Sequence, residues 1–161
     1  MIVVADTTPL NYLVLIGACE LLPALYGGIV SPEAVLMELR ASSAPARVRE
    51  WATSPPSWLR AERVDSSFLT DIALTLDPGE REAIALARQL HAALLVIDDQ
   101  AGRREAHRWN LTVTGTLGVL RTAAFRGLVH FRGALDRLQR TNFYISTDLL
   151  QQLLYENDSS G

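Results

Sequence analysis

The stretch Ile2-Val3-Val4-Ala5-Asp6-Thr7-Thr8-Pro9 decides how the rest of the chain is read. Four apolar, largely β-branched residues run straight into an acid and a Thr-Thr-Pro turn, without the apolar–polar alternation of a half-exposed strand. Such a run marks a strand buried on both faces, as in a parallel sheet. A second run of the same kind, Ala93-Leu94-Leu95-Val96-Ile97, stops on Asp98-Asp99. In open α/β sheets ligands bind outside the carboxyl ends of the strands. Three acids at two strand ends therefore form the first candidate site.

Working outward, Pro9 suits the first position of a helix and Thr8 its N-cap. Gly17 divides the apolar residues that follow into two short helices, and Gly27-Gly28 ends the second. Ile29-Val30 reads as a strand, and Ser31-Pro32-Glu33 opens a helix to Arg40. A helix over 45–52, an edge strand within 58–64 and a short helix over 66–75 come next. Asp77-Pro78-Gly79-Glu80 then starts a strongly patterned helix through Leu90. After the strand at 94–97 the pattern predicts a polar helix 100–109, a short strand 111–113, helices 117–125 and 131–140, and a last helix capped by Ser146 or Thr147. Strands alternating with helices imply an α/β three-layer sandwich with a central parallel sheet and a helical C-terminal tail. At 161 residues, 48% of them hydrophobic, the length fits one domain with one sizeable core. That domain is expected to span 1–156, with 157–161 a disordered tail.

Composition removes several functions. Cys19 is the single cysteine, so there is no internal disulfide and no zinc cluster, which suits a reducing cytoplasm. No apolar run is long enough to span a membrane, and Met1-Ile2-Val3 carries no basic leader. There is no phosphate-binding GxxxxGK[ST] loop, and no nucleophile stands near His91, His107 or His130. All basic residues are Arg. Residues 1–100 hold 13 acids and 7 Arg, while residues 101–161 hold 5 acids and 8 Arg, so a net −6 lies beside a net +3. Genomic composition favouring Arg codons is the ordinary expectation behind the absence of Lys. The asymmetry also fits a metal-dependent enzyme acting on a polyanion.

The acids differ in their ordinary explanations. Asp6 lies too early to cap a helix that Thr8 caps, and its segment supplies no Arg to neutralise a buried charge. Glu80 is explained equally by a capping box with Asp77 and by its place on the apolar stripe with Ile84 and Ala87. One of Asp98 and Asp99 can cap the helix at Gln100, but two adjacent like charges raise each other's pKa unless a cation neutralises them. Glu38 shares the inward face of Val35. Acids from four separate elements, with no His or Cys among them, suit Mg2+ or Mn2+.

In this order Val3-Val4-Ala5-Asp6-Thr7-Thr8-Pro9-Leu10, Ser31-Pro32-Glu33-Ala34-Val35-x-x-Glu38-Leu39, Gly79-Glu80-x-Glu82-Ala83-Ile84, Leu95-Val96-Ile97-Asp98-Asp99-x-x-Gly102-Arg103 and Thr114-Gly115-Thr116-Leu117-Gly118 resemble a PIN-domain protein of the VapC-like ribonuclease type, from a poorly characterised prokaryotic branch. The resemblance implies a metal-dependent endoribonuclease, of the kind that serves as the toxin of a toxin–antitoxin pair. Asp6, Glu38, Glu80 and Asp98 would be catalytic, with Asp6, Glu80, Asp98 and Asp99 as candidate ligands of Mg2+ or Mn2+ and Thr8 in the family's hydroxyl position. Glu80 stands where the family usually has Asp. The implied chemistry is hydrolysis of a phosphodiester by water that the ion activates. RNA is the implied substrate, with Arg103, Arg104 and Arg108 as phosphate contacts, or Arg121 and Arg126 elsewhere. An antitoxin protein and a second copy of the chain are the implied partners. Two rivals stand beside this reading. One is a catalytically weak PIN-fold module that binds protein. The other is a haloacid-dehalogenase-like phosphatase, which would want an Asp where Thr8 stands and a Lys, of which there is none.

Overall fold

The β1 strand, Val3–Ala5, is the centre of the molecule: all three residues are 0% exposed. The computed structural model describes residues 1–160. In it five parallel strands lie in the order β3-β2-β1-β4-β5, where β2 is Ile29–Pro32, β3 Leu59–Glu62, β4 Leu94–Val96 and β5 Val113–Thr114. Val3, Val4 and Ala5 stand beside Leu94, Leu95 and Val96 on one side, and Val4 beside Val30 on the other. Side chains along a strand alternate between faces. Val3, Ala5 and Val96 accordingly enter one core, and Val4, Leu95 and Ile97 the other.

Seven helices build the first of these cores: α1 (Thr7–Leu15), α2 (Leu21–Tyr26), α3 (Glu33–Arg40), α4 (Ala46–Thr53), α7 (Thr116–Phe125), α8 (Phe131–Gln139) and α9 (Thr147–Ser160). The opposite layer is α5 (Pro78–Gln89) and α6 (Gln100–Arg108), with the segment carrying Ile72 and Leu76. Ala83–Ala87 are all buried, since α5 lies flat on the sheet. This is the expected three-layer α/β sandwich. Among the described residues no helix is long and apolar enough to cross a membrane.

From β1 the chain first builds outward through β2 to β3. It then returns to start β4 on the other flank of β1 and continues to β5. The direction of winding therefore reverses between β1 and β4. This switch point is where a doubly wound sheet opens a crevice at its carboxyl edge.

Four local expectations differ from the structure. Thr8 does not cap α1: Asp6 occupies the cap position, with extended backbone, and its side chain makes no capping bond. Ser31 belongs to β2, and its Oγ donates to the Ala5 carbonyl at 2.7 Å, tying the two strand ends together. The helix expected over 66–75 is one turn of 3-10 helix at Ser66–Phe68. Side chains satisfy the backbone there instead: Arg88 and Arg81 donate to the carbonyls of Phe68 and Leu69, and Glu105 accepts from the Ala73 N–H at 2.6 Å. Finally, the tail expected to be disordered from 157 is helical through Ser160, and Gly161 lies outside the described residues. Leu153 anchors α9 in the core, while Arg132 pairs with Asp158 and Arg121 with Glu156, contacts that a view along the sequence cannot show.

The buried Ser31 bond is testable. Ser31→Ala leaves the Ala5 carbonyl one partner short, and a lost buried hydrogen bond costs about 1–2 kcal/mol. The urea midpoint should fall with the slope unchanged. A midpoint equal to wild type would show that this bond does not brace the strand ends.

Candidate active site

Both strands at the switch point end in carboxylates. The Asp6 N–H donates to the Val96 carbonyl at 2.9 Å, extending the β1–β4 ladder by one residue and setting Asp6 beside the chain that becomes Asp98. Asp6 is 3% exposed and its Oδ1 is buried without a hydrogen-bond partner. An ionised carboxylate in that position is costly unless something charged answers it. Burial, the largest effect, pushes its pKa up to about 7. The Thr7 N–H pulls against this, and the carboxylates of Asp77, Glu38 and Asp98 add to it.

Those neighbours come from three other elements. Glu38, on the last turn of α3, faces the first turn of α5, where a Cβ on Gly79 would stand 2.1 Å from its Oε1. Only a glycine lets the two approach so closely. Burial raises the Glu38 pKa. The Thr7 hydroxyl opposes that rise without standing in hydrogen-bond geometry, Asp77 adds to it, and the Gly79 N–H again opposes. On α5 itself the capping box is only half formed. Asp77 Oδ1 accepts the Glu80 N–H at 2.9 Å, while the Glu80 carboxyl meets the Asp77 carboxyl in place of its backbone N–H. Burial, contact with the Asp77 carboxyl and the charges of Asp77, Asp99 and Asp6 raise its pKa strongly.

The adjacent pair at β4 divides its work. Asp99 is the exposed N-cap of α6, accepting from the Gly102 N–H at 3.0 Å. Asp98 turns the other way: its Oδ1 accepts from the Thr116 N–H at 2.7 Å and its Oδ2 from the Thr116 Oγ1 at 2.6 Å. A Cβ on Gly115 would meet Asp98 Oδ1 at 2.5 Å, so the glycine makes room for the acid. Burial raises the Asp98 pKa, while the Thr116 bonds and the Arg103 guanidinium lower it.

Asp6, Glu38, Glu80 and Asp98 thus share one electrostatic neighbourhood, with Asp99 reaching it through Glu80. Among the described residues none of these five makes an ion pair, and no three acids stand close enough together to enclose one ion as they are. The donors are nonetheless all carboxylate oxygens, and the orphaned Asp6 Oδ1 offers an unused lone pair, so the chemistry fits a hard divalent cation. Thr8 lines a groove beside Glu38. The three arginines part company: Arg103 stands by Asp98, Arg104 is exposed, and Arg108 is drawn to Glu105 and to the Asp71 carbonyl at 2.8 Å.

Asp77 and Thr116 belong to this neighbourhood and were not among the residues expected there. A signal for both exists. A helix that follows a parallel strand begins at the carboxyl edge of the sheet, and Asp77 and Thr116 stand at the starts of α5 and α7, which follow β3 and β5.

A family model described as the PIN domain matches residues 2–159, and the chain belongs to that family. PIN domains are generally nucleases that use divalent metal ions. No curated protein matches the chain.

The raised Asp6 pKa makes stability depend on pH in a definite direction. Below about 3.8 the carboxyl is protonated in folded and unfolded chains alike, and the full stability is present. Between 3.8 and about 7 the unfolded chain releases the proton while the folded one keeps it, so stability falls as pH rises through that window. Urea unfolding in EDTA should show a loss on the order of a few kcal/mol across it. Asp6→Asn should flatten the profile and be the more stable protein at pH 7. Profiles of wild type and variant that run parallel would show that Asp6 is not the group responsible.

Proposed function

We propose that the chain is a metal-dependent endoribonuclease whose centre is the carboxylate cluster at the β1–β4 switch point. The observation that carries this reading is Asp6, a buried carboxylate with an orphaned oxygen and no cationic partner, surrounded by acids that raise its proton affinity. A structural acid would be paired; an uncompensated cluster at the carboxyl edge of a parallel sheet is arranged for a cation.

Asp6, Glu38, Glu80 and Asp98 would hold Mg2+ or Mn2+, with Asp99 at the rim. The ion, when bound, supplies positive charge against the developing phosphate charge and lowers the pKa of water. The chain's own residues do the rest. Thr116 fixes Asp98 through both oxygens, so that acid cannot swing away. Gly79 and Gly115 let the helix starts crowd the carboxylates. Arg103, beside Asp98, and exposed Arg104 on the next position of α6 would hold the phosphates of the strand. RNA rather than DNA as substrate, and a toxin role with an antitoxin protein, rest on the family resemblance. The longer arm of Glu80 in place of Asp is what favours the weak or inactive module as the second reading.

Two measurements decide between them. Asp6→Asn should abolish Mg2+- or Mn2+-dependent cleavage of single-stranded RNA while the protein stays folded, and millimolar metal should raise the melting temperature of wild type by mass action. Metal that leaves wild-type melting unmoved, with no cleavage, would favour the binding module. The arginines separate by salt. Arg103→Gln and Arg104→Gln should each lower the slope of log affinity for RNA against log salt by roughly 0.7. Arg108→Gln should leave the slope alone and cost stability, because its guanidinium holds Glu105 and Asp71.

A further inference from the structure

Among the described residues four polar side chains are buried: Asp6, Ser31 and Thr116 at the strand ends, and Glu105, which the site does not use. Glu105 stands in α6 at 7% exposure and turns both oxygens to one neighbouring segment. Its Oε2 accepts from the Ala73 N–H at 2.6 Å, and its Oε1 pairs with Arg108 Nε at 3.3 Å. Arg108 in turn donates to the Asp71 carbonyl at 2.8 Å. A buried ion pair is a weak source of stability, and its better-attested use is to fix the register of the elements it joins.

The segment so held leads straight into the acid cluster. The Ala73 carbonyl accepts from the Leu76 N–H at 3.4 Å, Ile72 and Leu76 are buried in the second core, and the next residue is Asp77, the cap of α5. The helix at the other end of this brace also touches the acids. α6 begins at its cap Asp99, and a Cβ on Gly102 in its first turn would stand 3.2 Å from Glu80 Oε2. Glu105 lies three residues further on and shares the Gly102 face. Among the described residues no three acids enclose an ion as they stand, so the spacing of α5 against α6 decides how far they must move to do so. We propose that Glu105 is a positioning residue of the acid cluster. By clamping the 71–73 segment to α6 it sets the distance between Asp77 and Glu80 on one element and Asp98 and Asp99 on the other, and with it the affinity of the cluster for a divalent cation. This rests on the metal-dependent nuclease reading above.

The test is metal binding, not turnover. Full-length wild type, Glu105→Ala and Glu105→Gln are titrated with Mn2+ without RNA, and the free ion is read by electron paramagnetic resonance. Glu105→Ala should bind Mn2+ about tenfold more weakly, the lower end of what residues that orient ligands contribute. Glu105→Gln, whose side-chain oxygen still accepts from Ala73, should stay within about threefold of wild type, since only the charge assistance to Arg108 is lost. Leu138→Ala, in the core of the opposite layer, controls for lost stability: its melting temperature should fall while its Mn2+ affinity holds. Glu105→Asp, one methylene shorter, should weaken Mn2+ in the same direction as the alanine variant and serves if that variant does not fold. Mn2+ affinity that is unchanged in the folded Glu105 variants, or that falls equally in Leu138→Ala, makes Glu105 a merely structural acid; it overturns the inference and leaves the nuclease reading standing. Wild type that binds no Mn2+ overturns both.

Discussion

Because β1 pairs in parallel with β4, from Val3 beside Leu94 to Ala5 beside Val96, the two chains leave the sheet side by side at the same edge. The Asp6 N–H to Val96 carbonyl bond adds one more rung to that ladder. The meeting of Asp6 with Asp98 follows from this pairing. It brings residues some ninety positions apart in sequence to neighbouring strand ends, and it places them where the winding of the sheet reverses and no crossover helix covers the edge. Were β4 paired instead at the far side of β2, Asp98 would lie two strands away from Asp6.

The arrangement carries a standing cost. A carboxylate as buried as Asp6 is disfavoured in its charged form, and the acids around it make matters worse. Proteins tolerate such local conflict where the rest of the structure over-determines it, and it concentrates at functional sites. Here the over-determination is visible. The strand beneath Asp6 is fully buried, Ser31 bonds the last carbonyl of that strand, and Thr116 grips Asp98 with two short bonds. Burial is the first cause of the raised pKa of each of Asp6, Glu38, Glu80 and Asp98.

Space matters as much as charge. Gly79 and Gly115 stand where a Cβ would fall within bonding distance of a carboxylate oxygen, and each lies at the start of a helix that points toward the sheet edge. The same crowding explains why the Asp77 and Glu80 box closes only halfway. Glu80 has the choice between capping its own helix and joining the acids, and the tertiary environment draws it to the second. The arginines illustrate the reverse. Arg88, Arg81 and Arg108 are engaged with carbonyls of the segment 68–71 and, for Arg88, with the Trp109 ring at 3.6 Å, so these three arginines serve the fold.

The strands at 3–5 and 94–96, the helix breaks at Gly17 and Gly27, the Asp77 cap and the alternation of strand and helix were legible in the sequence, because each rests on residues within a few positions of one another. Asp6, Asp98 and Asp99 could be recognised as strand-end acids for the same reason. What no local pattern contains is which strand lies beside which. That was decided by backbone pairing, which sets β1 between β2 and β4, while helices bury both its faces. From that single choice come the convergence of Glu38 and Glu80, the division of roles between Asp98 and Asp99, the recruitment of Asp77 and Thr116, and the use of Ser31 as a strand tie rather than a cap. Local chemistry determined which side chains could serve at a site; the packing of a doubly buried strand determined which of them meet.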